Sequence, residues 1–316
     1  MRRPWLNVPG RTAAFVLNPG RVRGAARVAA RCAAAAQARG WDWLLLETSA
    51  ADPGTVLARR AITAGAGLVV AVGGDGTVRA CAQALAGTAV PLAIVPRGTA
   101  NLAARALGIP GGLDAALATG FAGPERRIDL AVTGEQVTFV AMAGLGTDAA
   151  VVGATPGGLK ARTGWLAYAA AGTRHLAGRP ASFRISLDGV TLVREARSVV
   201  VGNGGLLPGG FAFLPGARPD DGVLDVGTLA PASLLDWGRV GYRVVTGSQR
   251  DDRLIGRYRA RHVEIRADRD LPRQVDGEVI APGRTLTVTV APAALLVRAP
   301  AAGAGARPAR AGRLPR

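Results

Sequence analysis

The sequence predicts an α/β N-terminal domain with a parallel sheet, followed by a mainly antiparallel β-sandwich or barrel-like C-terminal domain. Three observations carry this. Residues 12–129 alternate β-branched, strand-like runs with stretches that read as helix. Two strand-to-helix junctions in that half are glycine-containing loops, Gly73-Gly74-Asp75-Gly76-Thr77 and Pro96-Arg97-Gly98-Thr99-Ala100-Asn101. After Ile128-Asp129 the texture changes to successive strand-like runs punctuated by turn residues.

In the first half, residues 13–17 read as a strand, 25–40 as a helix, 41–47 as a strand and 56–64 as a helix. The run 68–72, Leu-Val-Val-Ala-Val, is continuously apolar, as a strand buried on both faces of a parallel sheet must be. A helix over 78–85, a strand over 91–95 and a helix over 102–107 follow. The helix over 113–119, capped by Gly120, closes this half. In the second half, strands are expected at 137–143, 182–188, 198–202, 223–229, 262–267 and 285–290, with helices at 160–176 and 232–246. The domains are placed at 1–129 and 130–291. Residues 301–316, rich in Ala, Gly and Pro with Arg307, Arg310, Arg313 and Arg316, are expected to be a disordered basic tail.

A chain of 316 residues with 49% hydrophobic and 19% charged residues is long and apolar enough for two domains with real cores. No stretch of about 18 apolar residues runs free of charge or glycine, and Met1-Arg2-Arg3-Pro4-Trp5 lacks the apolar core of a signal peptide. The expected location is therefore cytoplasmic. Cys32 and Cys81 sit in alanine-rich helical contexts and read as buried thiols, neither a disulfide nor a metal pair. The net charge of +17 is almost wholly arginine, with Lys160 the only lysine. Such a surface attracts anionic lipid headgroups or nucleic acid. No stacking platform or nucleic-acid motif accompanies it, so no nucleic-acid partner is expected. A GC-rich coding sequence would also favour arginine over lysine.

The two loops carry the chemistry. Three glycines between strand and helix allow positive φ and close approach to a ligand, and the helix start offers N–H groups and partial positive charge to a phosphate. A carboxylate there, Asp75, makes sense beside a divalent cation or a transferred proton. A tight turn with an exposed Asp would read the same way. In the second loop Thr99 and Asn101 offer donors, and Arg97 and Arg105 offer charge. Asn101 also suits a helix cap. His175 and His262 close a helix and open a strand and read as structural. No Gly-x-Ser-x-Gly elbow or zinc spacing is present, so a proton acceptor would have to be a carboxylate. Val275-Asp276-Gly277-Glu278 supplies two, although Asp-Gly is also a favoured hairpin turn.

At these residues the chain resembles the diacylglycerol kinase catalytic-domain family, which bacterial lipid kinases share with sphingosine and ceramide kinases. The resemblance rests on Asn18-Pro19-Gly20, on the two loops extended to Arg105, on Gly144-Leu145-Gly146-Thr147-Asp148-Ala149, on residues 215–225 and on residues 275–278, in family order. It implies an enzyme that uses ATP and Mg2+ to phosphorylate a hydroxyl of a membrane lipid, with its active site in the interdomain cleft and the segment near 292–300 returning to the first domain. By resemblance Glu278 is the general base and Asp276 its acidic partner. Asn18, Pro19, Gly73, Gly74, Asp75, Gly76, Thr77, Gly98, Thr99 and Asn101 lie on the nucleotide side. Arg21 or Arg23 stands in for a basic residue near the phosphates, and Asp129 and Lys160 belong to the metal network. Residues 215–222 match a segment that binds a structural magnesium, here through Asp221 and the carbonyls of Arg218 and Val223; a plain acidic turn is the alternative. Two departures touch the nucleotide side: Leu102 stands where many members are polar, and residues 52–55 lack a histidine often found there. A lipid kinase would work peripherally on an anionic membrane, and a homodimer is compatible with the sequence. The competing readings are an NAD kinase, which shares the Gly-Gly-Asp-Gly loop, and a catalytically weak lipid-binding regulatory protein of the same fold.

Overall fold

The computed structural model describes residues 11–146, 179–205, 213–246, 248 and 250–301. Lys160, the stretch 160–176, residues 147–149 and the tail from 302 onward lie outside them. The chain divides into two compact units: residues up to Ile128 joined by the segment from Ala294, and Asp129–Ala293.

In the first unit β1 (Thr12–Leu17), β2 (Asp42–Glu47), β3 (Leu68–Gly73) and β4 (Leu92–Pro96) form a parallel sheet in the order β2-β1-β3-β4. β1, β3 and β4 are buried along nearly their whole length, as their unbroken apolar sequence requires. The helices are α1 (Ala25–Gln37), α2 (Thr55–Thr63), α3 (Asp75–Leu85), α4 (Leu102–Ala106) and α5 (Leu113–Ala122). α1 buries Val28, Cys32 and Ala36, spaced by four. Cys32 and Cys81 are free buried thiols, as expected, and burial pushes both up to about 12.

The expected stop at Gly120 does not occur: α5 continues through it to Ala122. A Cβ at Gly120 would lie 2.8 Å from the Cβ of Ala93 in β4. The glycine is there to let helix and strand approach, and the helix ends two residues later.

In the second unit the strands are β5 (Glu125–Thr133, whose first residues belong to the first unit), β6 (Thr138–Phe139), β7 (Met142–Gly146), β8 (Ala181–Leu187), β9 (Val190–Ala196), β10 (Ser198–Gly202), β11 (Leu224–Leu229), β12 (Ile255–Ala260), β13 (His262–Val275) and β14 (Glu278–Arg298). One helix, α6 (Leu234–Thr246), joins β11 to β12. Pairing is antiparallel, in the order β12-β11-β10-β7-β13, with β13 also pairing β8 and β14. Phe139, Phe183, Leu145, Val199, Val201 and Val263 are fully buried in its core. The expected strand at 137–143 is broken at Val140 and Ala141, and 262–267 and 285–290 are the middles of much longer strands. The far end of β14 pairs in parallel with β4, Val297 opposite Leu92. There Arg298 reaches Glu125 at 2.8 Å and lies over the Trp41 ring.

Gly120→Ala gives a sign test of the α5 packing. Helix propensity alone favours alanine by about 1 kcal/mol, whereas overpacking typically costs about 1–3 kcal/mol. The expected outcome in chemical denaturation is destabilisation; a stabilised variant would contradict the close approach.

Candidate active site

The carboxyl ends of β1, β3 and β4 face one edge of the parallel sheet, with β1 and β3 adjacent at the point where strand order changes direction. Ligands of open α/β sheets bind at such an edge. Three junctions lie there: Asn18 to Gly24 after β1, Gly74 after β3, and Arg97 to Asn101 after β4.

In the junctions after β3 and β4, Gly73, Gly74 and Gly98 are required by proximity rather than by positive φ, contrary to expectation: Gly74 has φ −94 and ψ −170, whereas Gly24 after β1 does take a left-handed φ of 66. A Cβ at Gly98 would fall 2.5 Å from the Cα of Gly74, and one at Gly74 would fall 3.2 Å from the Cα of Gly98. The two loops therefore touch backbone to backbone. The N–H of Arg97 donates to the carbonyl of Gly73 at 2.7 Å. A Cβ at Gly73 would meet the Thr77 hydroxyl at 2.7 Å. Thr77 is buried, and α3 begins at Asp75, three residues earlier than expected. Gly76 and Thr77 thus lie in the first turn of α3, whose N–H groups have no intrahelical acceptor and suit an anion.

Several side chains read as phosphate ligands are used differently. Asn101 has φ 48, and its side chain accepts from the Gly98 N–H and donates to the Gly98 carbonyl, both at 2.9 Å. It locks the loop instead of capping α4. Arg97 donates to the carbonyls of Pro96 and Gly111, and Arg105 to that of Ala100. Thr99 remains exposed at the loop tip. Asp75 is the first residue of α3 and is half-buried, where an exposed loop residue was expected; its carboxylate accepts the Ala103 N–H at 3.2 Å. One carboxylate beside phosphate N–H donors suits a magnesium ion that brings water and phosphate oxygens as its other ligands. Asn18 accepts the Arg21 N–H at 3.1 Å, shaping a turn that leaves Pro19, Arg21 and Arg23 exposed. The position lacking the expected histidine is organised by Asp52, whose carboxylate accepts from Gly54, Val56 and Leu57 at the start of α2.

In the second unit, Val275 and Glu278 pair across a two-residue turn in which Asp276 and Gly277 have φ 46 and 78. Two positive φ values define the hairpin turn that Asp-Gly favours. The turn also places the carboxylates in opposite environments. Asp276 is buried and accepts the N–H groups of Val140 at 3.0 Å, Ala141 at 2.9 Å and Met142 at 3.0 Å, while its own N–H donates to the Met142 carbonyl. This is why the expected strand 137–143 breaks: its N–H groups leave the ladder for a carboxylate. Glu278 is exposed as the first residue of β14. Asn203, which sequence reading missed, donates to the carbonyls of Asp129 and Val140, and the Gln274 side chain accepts from the Gly277 N–H at 2.9 Å. The run Asn203-Gly204-Gly205 after a buried strand signals a turn, and nothing in it announces these contacts.

The carboxylates of Asp129 and Asp221, expected at metal sites, are engaged by protein groups in this structure. Asp129 is buried, with one oxygen accepting the Gly222 N–H at 2.6 Å and the other the Ala293 N–H at 2.8 Å. It ties down the 215–222 turn. The Asp221 carboxylate is paired with the Arg259 guanidinium and also accepts the Val223 N–H. Arg259 sits directly across the strand pair from Asp225, its Nε 3.6 Å from the carboxylate. Burial raises Asp225 to about 6, opposed by Arg259 and reinforced by Asp221, and its Oδ2 is buried with no hydrogen-bond partner. The Asp221 carboxylate, assigned to a structural cation, is thus engaged by a guanidinium in this structure. Among the described residues no cluster of three or more His, Cys, Asp or Glu side chains forms a metal cage.

The chain thus combines a parallel sheet carrying paired glycine loops at its carboxyl edge with an antiparallel unit carrying an acidic hairpin. Residues 12–133 match the diacylglycerol kinase catalytic domain, and residues 140–299 match the YegS C-terminal NAD kinase beta sandwich-like domain. A protein of Pseudomonas fluorescens named probable lipid kinase YegS-like is 37% identical over 271 residues, covering 84% of this chain and 88% of its own. The Escherichia coli protein named lipid kinase YegS is 31% identical over 198 residues, 62% of this chain and 64% of its own. Among solved structures, a putative diacylglycerol kinase from Bacillus anthracis superposes with TM-score 0.78 at 22% identity, covering 95% of this chain and 98% of its own. An NAD kinase from Archaeoglobus fulgidus in complex with ATP gives 0.52 at 15% identity, over 91% and 93%. These structural likenesses concern the fold. The chain belongs to the diacylglycerol kinase catalytic-domain family and is a kinase.

If Arg259 serves in place of a structural cation, adding Mg2+ or a chelator to the nucleotide-free protein should move its thermal midpoint by less than about 1 °C, because a ligand bound only by the folded state would raise it. Arg259→Met should lower the midpoint, with no recovery in Mg2+. A midpoint that rises with Mg2+ in the unsubstituted protein would restore the metal assignment.

Proposed function

We propose that this chain is an ATP- and Mg2+-dependent lipid kinase that transfers the γ-phosphoryl group to a hydroxyl of a membrane lipid, diacylglycerol or a close relative. The observation that carries this is the Gly74–Gly98 backbone contact beside the first turn of α3, an arrangement suited to an anion such as phosphate. The names of the relatives, lipid kinases at up to 37% identity, support a lipid acceptor over NAD.

In this reading the N–H groups of Gly76 and Thr77 hold the nucleotide phosphates, with Thr99 at the tip of the neighbouring loop as a further donor. Asp75 would hold a magnesium ion bound together with the nucleotide, which would supply charge neutralisation. The lipid hydroxyl oxygen attacks the γ-phosphorus, the bond to ADP breaks, and the hydroxyl proton passes to Glu278. The contrast within the hairpin supports Glu278 over Asp276 as the base. Three main-chain N–H groups fix the Asp276 carboxylate as a positioning residue, whereas Glu278 is exposed.

A thin-layer assay with labelled ATP and a panel of diacylglycerol, sphingosine, ceramide and NAD tests the reaction class; labelled product from NAD alone would refute it. Glu278→Gln should leave ATP affinity unchanged and slow transfer by about 10²-fold or more. Asp276→Asn should instead lower stability by about 1–3 kcal/mol, since a buried N–H group loses its acceptor. A stable, inactive Asp276→Asn beside an active Glu278→Gln would reverse the two roles.

A further inference from the structure

We infer that the outward face of α6, carrying Leu235, Arg239 and Tyr242, is the surface by which this chain docks on an anionic lipid bilayer. The inference deepens the lipid-kinase reading above and rests on it for the identity of the partner. Leu235 is 66% exposed and Tyr242 72% exposed, more than any other large apolar side chain among the described residues. They are seven residues apart, two helical turns, and so lie on one face about 10 Å apart along the axis. The opposite face is anchored by buried Trp237 and Val240, so the exposed pair is not needed to hold the helix in place.

Charge identifies the partner. The one acid of α6, Asp236, is buried, and its carboxylate accepts from the Ala232 N–H at 3.2 Å and meets Arg239 at 3.2 Å and Arg253 at 3.8 Å. The outward face therefore carries no carboxylate, while the side chains of Arg239 and Arg253 are 52% and 79% exposed. Leucine enters the acyl boundary, tyrosine sits at the headgroup level, and arginine reaches anionic headgroups along an apolar stem. The chain as a whole, at +17, is drawn to the same surface. Two apolar side chains are far too few to anchor a specific protein partner, which needs about 800 Å² on each side. They suffice as insertion points once electrostatics has brought the protein to a membrane. No helix among the described residues is long and apolar enough to cross one.

The test is co-sedimentation of the full chain with phosphatidylglycerol–phosphatidylcholine vesicles and with phosphatidylcholine vesicles. It compares the unsubstituted protein, Leu235→Glu/Tyr242→Glu, and a form lacking residues 302–316. The expected result is binding to the anionic vesicles alone and a loss of about tenfold or more in the double variant, the scale for replacing inserted apolar groups by charge. Thermal midpoint and phosphorylation of detergent-dispersed diacylglycerol should be unchanged in that variant. Binding that survives the double substitution and disappears with the tail, or that fails to distinguish the two vesicle types, would overturn the assignment. So would a change of oligomeric state in the double variant, which would make the face a contact between copies. Loss of vesicle binding in a protein that phosphorylates no dispersed lipid would leave the docking face standing and refute the lipid-kinase reading.

Discussion

The contact between the backbones of Gly74 and Gly98 is the constraint on which the first unit's site depends. β3 and β4 are adjacent and parallel, so their exits lie side by side at one sheet edge. Whether two such exits merge into one anion-binding surface depends on how near the chains can come. A Cβ on either residue would intrude on the other backbone, at 2.5 Å in the case of Gly98. With both absent, Asn101 can fold back on Gly98, and Arg97 can donate to Gly73. Asn101 and Arg97 are occupied in holding the loops, so the mechanism proposed gives phosphate recognition to main-chain N–H groups at the start of α3 and to Thr99.

The second unit uses a carboxylate for the equivalent task. Asp276 is buried and accepts three main-chain N–H groups, a costly arrangement unless it secures something. What it secures is the orientation of a two-residue turn whose next residue is Glu278. Asn203 braces the same corner from behind by bonding the Val140 carbonyl. Asp129 has a similar role for the 215–222 turn. Of the acids that resemblance would make chemical, Asp129 and Asp276 accept main-chain N–H groups and Asp221 pairs with Arg259, and the mechanism proposed gives the chemistry to Asp75 and Glu278.

The fold was legible wherever one physical signal dominated. Continuous apolar runs such as 68–72 can satisfy themselves only inside a parallel sheet, and β3 lies there. The two loops were legible because each combines glycine with donors or a carboxylate at a strand-to-helix junction. β9 was missed because it is an edge strand with Val190 and Val193 exposed, giving no clean alternation. Gly120 was misread because a glycine that admits a neighbouring strand has the same sequence signature as one that ends a helix. The division of labour within the acidic hairpin was not legible at all. It depends on N–H groups more than 130 residues away in the chain, which no local pattern encodes.

The most direct measurement is the affinity of magnesium–ATP for Gly98→Ala by titration calorimetry, with far-UV circular dichroism confirming the fold. The added methyl must push the two loops apart, so the account predicts a folded protein whose affinity falls by about tenfold or more, equivalent to about 1.4 kcal/mol. Unchanged affinity in a folded Gly98→Ala would contradict the claim that the glycine contact builds the phosphate site.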